Sequence, residues 1–200
     1  MTDFEIEWNR MINGEIYNAV NPEFFKKLEI TRLKLWEFNN LKPSQTQKQA
    51  EILHTLFGSH GTNMRINQPF RCDFGCNIFI GNNFFANFNL TILDEGKVSI
   101  GDNVFIGPNV NIFTACHPID PAERNTGVEW SEPVTIGNNV WIGGGATILP
   151  GITIGNNVVI GAGSVVTKNI SGNSVAAGNP ARIIKHLTPG NNCHDTVEPC

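Results

Sequence analysis

The sequence has no run of lysine or arginine, no apolar stretch near membrane-spanning length, no paired CxxC spacing and no glycine-rich phosphate loop. Each absence closes a class of function. With 14 Lys+Arg against 18 Asp+Glu and a net charge of -4, the chain offers no positive field to a polyanion, so nucleic acid is excluded as a partner. No membrane-spanning helix is expected. The opening MTDFEIEWNR lacks a charged start followed by an apolar run, and the expectation is a cytoplasmic protein with no membrane partner. Cys72, Cys76, Cys116, Cys193 and Cys200 form neither CxxC pairs nor a set with clustered histidines. Buried or free thiols are expected rather than zinc ligands, and no metal is required. Neither GxGxxG nor GxxxxGK[ST] occurs, which argues against the usual nucleotide sites.

What is present is a six-residue beat. IGNNVW, IGGGAT, ILPGIT, IGNNVV and IGAGSV begin at Ile136, Ile142, Ile148, Ile154 and Ile160, and upstream IGDNVF, IGPNVN and IFTACH begin at Ile100, Ile106 and Ile112. An aliphatic first position with a small or β-branched residue four places later is the signature of a parallel β-helix. Three such hexapeptides make a triangular coil of roughly eighteen residues, and coils stack about 4.8 Å apart through parallel backbone hydrogen bonds. Glycine, Asn-Asn and Pro-Asn pairs supply the turn and left-handed conformations the corners demand. IGNNFF from Ile80 is the first clear repeat. Ile80 plus eighteen falls on Val98 while the beat sits on Ile100, so two extra residues are expected between Asp94 and Lys97. The beat breaks once more, after His117, and resumes in register at Ile136.

Residues 1–60 carry helical spacing instead. Phe4, Trp8, Met11 and Ile12 share a helix face before Gly14, and Asn21 with Pro22 reads as a cap and first turn. Ser44, with Gln47 three residues on, predicts a capping box for a third helix that stops by Gly58. Three short helices hold no core alone and are expected to cap the open end of the stack. The expected organisation is a helical cap over 1–60, a β-helix over 61–187 with an excursion loop over 118–133, and a flexible tail over 188–200.

His117 is the candidate general base, because a histidine can take and return a proton near neutral pH. Its place where the repeat is abandoned favours function over a corner histidine. The loop that follows carries Asp120, Glu123, Arg124, Glu129 and Trp130, equally suited to a cleft or a solvated face. Upstream, Asn87 and Asn89 are expected on one strand face, with Asp94 and Glu95 at the insertion. Polyol binding and turn chemistry both remain open there, as for Asp73. Gly144, within a three-glycine run, offers either a corner or backbone donors for an oxyanion. Thr167, Lys168, Arg182 and Lys185 add hydroxyl and cationic groups suited to phosphate.

With FRCDFG from Phe70, IGNNFFANF from Ile80, TACHPIDPAERNTG from Thr114, PVTIGNNVWIGG from Pro133, PGITIG from Pro150 and AGNPARIIK from Ala177 in view, the chain resembles the hexapeptide-repeat acyltransferases. The resemblance runs from Gly14 to Leu187 and is strongest to the maltose and galactoside O-acetyltransferase branch. It implies a mainly β fold, a left-handed parallel β-helix with a short N-terminal helical cap. It also implies a homotrimer with each site between two subunits, acetyl-CoA as donor and a sugar hydroxyl as acceptor. By the same likeness His117 is catalytic, and Asp73, Asn87, Asp94 and Glu95 bind the acceptor. Trp141, Gly144, Ala162, Thr167, Lys168, Arg182 and Lys185 face the coenzyme. Two departures concern the acceptor: Ala19, between Asn18 and Asn21, stands where the galactoside branch has an aspartate, and Glu95 replaces an aspartate.

Alternatives in the same fold are an antibiotic, serine or amino-sugar acceptor. A zinc carbonic anhydrase would need several histidines, and only His117 lies in the repeats. An ice-binding module needs a flat threonine face, and Thr135, Thr147, Thr153 and Thr167 share no single register.

Overall fold

The computed structural model describes residues 1–188; the expected tail beyond Thr188, with Cys193 and Cys200, lies outside them. From Ser59 to Gly178 alternating side chains build a triangular parallel β-helix, because each strand turns one set of residues inward and the next outward. The first face stacks Ser59–His60, Ile78–Ile80, Val98–Ile100, Val134–Ile136 and Thr153–Ile154. The second stacks Arg65–Ile66, Phe85–Ala86, Phe105–Ile106, Trp141–Ile142, Val158–Ile160 and Ser174–Gly178, and Ala181–His186 turns back antiparallel at its end. The third stacks Phe70–Cys72, Leu90–Leu93, Asn111–Phe113, Thr147–Ile148 and Val165–Val166.

The first position of each hexapeptide falls in the core as the beat predicts. Ile80, Ile100, Ile136 and Ile154 stand over one another, as do Ile106, Ile142 and Ile160, and Ile92, Ile112 and Ile148. All are buried, and each contributes about 1.5–3 kcal/mol of apolar transfer free energy. The corner from first to second face uses asparagine. Asn63, Asn83, Asn103 and Asn139 all have φ between 55° and 56°, a region asparagine tolerates better than most residues. Their amides hydrogen-bond in a ladder from coil to coil.

The helices are α1 (Asp3–Ile12), α2 (Pro22–Asn40) and α3 (Thr46–His54), with a fourth short helix, α4 (Pro121–Arg124), in the excursion. Asn21 caps α2 as expected. The expected capping box at Ser44 is not formed: α3 begins after Gln45, which makes no side-chain cap, and Gln47 bonds Glu51 instead. A capping box does occur at α1, where Thr2 and Glu5 satisfy each other's backbone N–H. Leu35 and Phe38 of α2, with Ile52 and Leu53 of α3, close the N-terminal end of the prism core. Met11, Tyr17 and Phe24 form a second buried cluster on Phe74 of the first coil. Ile30, Leu33 and Trp36, at 58%, 63% and 68% exposure, leave an apolar stripe on the outside of α2.

Extra residues enter at one corner only, between the third and first faces. Phe70 pairs with Leu90 and Ile78 with Val98, so the predicted insertion at Asp94–Lys97 has a twin at Asp73–Asn77 one coil earlier. The excursion leaves from the same corner of the next coil, after Phe113, and returns at Val134. Stacking these three departures gathers residues 73, 95 and 117 at one edge.

Candidate active site at the inserted corner

Asp94 organises the edge from beneath. It is fully buried, and its carboxylate accepts from the backbone N–H groups of Asp73 (3.1 Å), Phe74 (2.9 Å) and Asn77 (3.4 Å). Burial pushes its carboxyl up to about 7, opposed by those donors. Asp94 therefore holds the turn that presents Asp73. The carboxyls of Asp73 and Glu95 face each other at this edge, an arrangement that favours a proton on one of them. Burial first, and then the Asp73 charge, pushes Glu95 up to about 9, whereas Asp73 is raised by burial against the pull of Glu95 and of Arg32. The pair therefore holds a proton more tightly than two carboxyls in water. Its Oε2 is buried and has no partner among the described residues.

The excursion folds into a small antiparallel sheet. Ala115–Cys116 pairs with Val128–Ser131, and Val128–Glu129 pairs on its other side with Tyr17–Asn18 from the cap. Asp120 caps α4, and the Arg124 guanidinium donates to the carbonyls of Pro118 (2.9 Å) and Ile119 (3.0 Å), so these two shape the loop. Glu129 is the loop residue aimed at the histidine. Its Oε2 accepts from the Tyr17 hydroxyl at 2.8 Å, and its Oε1 stands 3.6 Å from His117 Nδ1. At that distance the contact is electrostatic rather than a formed hydrogen bond, and it strengthens when the imidazole gains a proton. The His117 ring is half exposed, and its Nε2 has no hydrogen-bond partner among the described residues. Cys116 points elsewhere, with its thiol pushed up to about 11, chiefly by burial. It is a poor nucleophile at neutral pH.

Asn87 does not join this cluster within the chain. It sits at the corner between the second and third faces, where the chain turns instead of continuing the expected strand, and Asn89 beside it has φ 62°. The same corner holds Gly144 and Ala162 in later coils. The N–H groups of Gly143 and Gly145 donate to Ile160 and Pro108, and those of Gly161 and Gly163 to Ala176 and Gly144. Between them, the N–H groups of Gly144 and Ala162 have no acceptor among the described residues. Trp141, 56% exposed, lies on the adjacent second face above Phe105. Thr167 and Lys168 are exposed at the third-to-first corner of the last coil, and Arg182 and Lys185 on the final antiparallel strand. One chain thus carries two separate edges, a histidine edge and an amide edge. Spacing could not reveal Tyr17 or its bond to Glu129, since the two are 112 residues apart.

Three family models match the chain: the maltose acetyltransferase hexapeptide capping motif over residues 10–61, the hexapeptide repeat of succinyl-transferase over 97–112, and the bacterial transferase hexapeptide over 133–168. The galactoside O-acetyltransferase of Escherichia coli K12 is 49% identical over 153 residues, 76% of this chain and 75% of its own. The crystal structure of a maltose O-acetyltransferase from Clostridium difficile 630 superposes with a TM-score of 0.90 at 51% identity, covering 91% of this chain and 97% of that one. A galactoside acetyltransferase solved in complex with coenzyme A gives 0.88 at 43% identity, covering 91% of each chain. The chain is an acetyltransferase and belongs to the hexapeptide-repeat family, in the branch of the maltose and galactoside O-acetyltransferases.

Proposed function

We propose that the protein moves an acetyl group from acetyl-CoA to a sugar hydroxyl by direct attack, in the cytoplasm, as a homotrimer whose sites lie between subunits. The observation that carries this reading is a half-exposed histidine backed by Glu129, at the inserted corner that also presents the facing carboxyls of Asp73 and Glu95. In the proposed step His117 Nε2 takes the proton of the acceptor hydroxyl as that oxygen attacks the thioester carbonyl. The tetrahedral intermediate collapses, the C–S bond breaks, and the imidazolium returns its proton to the departing thiolate. No acyl-enzyme forms.

Asp73 and Glu95 together present one donor and several acceptors, which suits neighbouring hydroxyls of a sugar. The unpartnered N–H groups of Gly144 and Ala162 suit amide and thioester carbonyls of the coenzyme. Trp141 lies beside the acetyl group in this reading, and Thr167, Lys168, Arg182 and Lys185 hold its phosphates. Asn87 reaches the acceptor from the neighbouring subunit, which accounts for its distance from His117 within the chain. Residues 1–60 serve as the cap and 61–187 as the transfer unit.

Acetyl-CoA-dependent thiol release, measured across maltose, glucosides, galactosides, serine and aminoglycosides, tests the assignment. Turnover is expected with the sugars, and His117→Ala is expected to lower kcat on the order of 10² to 10⁴ with acetyl-CoA affinity unchanged. Acetylation confined to the non-sugar acceptors overturns the acceptor class, and near-normal turnover of His117→Ala overturns the base.

A further inference from the structure

Tyr17 is the single tyrosine of the chain, and it lies outside every repeat. It is 3% exposed, packed 5.4 Å from the Phe24 ring, and its hydroxyl is spent on one bond, to Glu129 Oε2. The backbone enforces that bond. Tyr17 and Glu129 are directly paired residues of the antiparallel ladder between cap and excursion, and Ala19 N–H extends it to Gly127 O at 3.1 Å. Glu7 of α1 anchors the same strand by accepting the Asn18 N–H at 2.6 Å. Glu129 is consequently held at one oxygen by the cap while its other oxygen faces His117.

We infer that Tyr17 is a positioning residue for acetyl transfer, acting through Glu129 to fix the orientation and protonation preference of His117. The inference rests on the reading of His117 as general base. The physical reasoning is that a free glutamate samples several rotamers, whereas one clamped at Oε2 keeps Oε1 opposite Nδ1. That clamp favours the tautomer with the proton on Nδ1 and the lone pair on Nε2, and stabilises the imidazolium formed during attack. Burial, then Glu129, pushes the Tyr17 hydroxyl well above its ordinary value, so it stays a donor throughout the working range. The other acidic groups facing it are Asp73 and Glu95 from the coil corners, and these deter its ionisation further. The position thus supplies, from the cap, a contact to the site.

Tyr17→Phe keeps the ring and removes the clamp. It is expected to lower kcat about 10-fold, with KM for acetyl-CoA and for the acceptor within about two-fold. Glu129→Ala is expected to do the same, and Tyr17→Phe added to Glu129→Ala should cost nothing more. An unchanged thermal transition in Tyr17→Phe separates this from a folding defect. Multiplying effects in the double variant, or a Tyr17→Phe effect confined to acceptor KM, overturn the positioning role. His117→Ala distinguishes the two levels. If it retains turnover the base reading fails. If it is inactive while Tyr17→Phe turns over normally, the Tyr17 inference alone fails.

Discussion

Glu95 and Asp94 are neighbours in sequence with opposite situations, and the difference comes from one residue of strand geometry. Asp94 turns inward and meets three backbone donors, whereas Glu95 turns toward the cleft and meets another carboxyl. A carboxyl whose folded value rises from 4.5 to about 9 binds its proton more tightly folded than unfolded. Its stabilising contribution is full below about pH 4.5 and is lost as pH rises toward 9. The protein without ligand is therefore expected to lose thermal stability between pH 5 and 9, and Glu95→Gln, which never ionises, to lose less. Differential scanning calorimetry of both across that range reads the effect, and identical slopes would contradict the shared proton. The sequence showed that acidic residues stood at an insertion. It did not show which one faced inward, since that depends on the twin insertion at Asp73–Asn77, hidden in a segment without a clear repeat.

Among the elements, the excursion depends on the cap as much as on the prism. Ser131 Oγ donates to Met11 O at 2.6 Å, and Gly14, with φ 74°, passes so close that an added Cβ would stand 2.9 Å from Ser131 O. Gly14→Ala carries both a left-handed backbone and that clash. It is expected to destabilise the protein by about 1–3 kcal/mol and to lower Tm by several degrees, measured by thermal melting. A melt equal to wild type would show that this crossing is not tight. Helical spacing and Asn21-Pro22 disclosed α1 and α2, because capping chemistry is local. The start of α3 was misread because Ser44 and Gln47 have the right types, while the backbone enters the helix one residue later, after Gln45. The strand pairing of Tyr17 with Glu129 left no local trace, since an antiparallel contact across more than a hundred residues has no period.

At the scale of the molecule, the third face separates the two edges within one chain, and in the proposed trimer they meet across a subunit boundary. Mixed trimers provide the test. His117→Ala disables the histidine edge and Asn87→Ala the amide edge, and each variant alone should have little activity. Random assembly of equal amounts should restore about a quarter of the sites, those pairing two intact edges. Thiol release after co-refolding reads the recovery, and no recovery would place both edges of a site in one chain.

The hexapeptide beat by itself determined the prism, its core positions and its asparagine corners, and it marked the turn of chain that carries His117 as a departure from the repeat, although the structure leaves the prism four residues earlier, after Phe113. Each of these follows from a repeat that recurs every few residues and buries the same position every time. Only the tertiary structure decided that three insertions stack at one corner, that Asp94 supports the turn while Glu95 shares a proton, and that Glu129 and Tyr17 stand behind His117. Those relations join residues that no period links, and they are set by which coil lies on which and by where the cap crosses the loop.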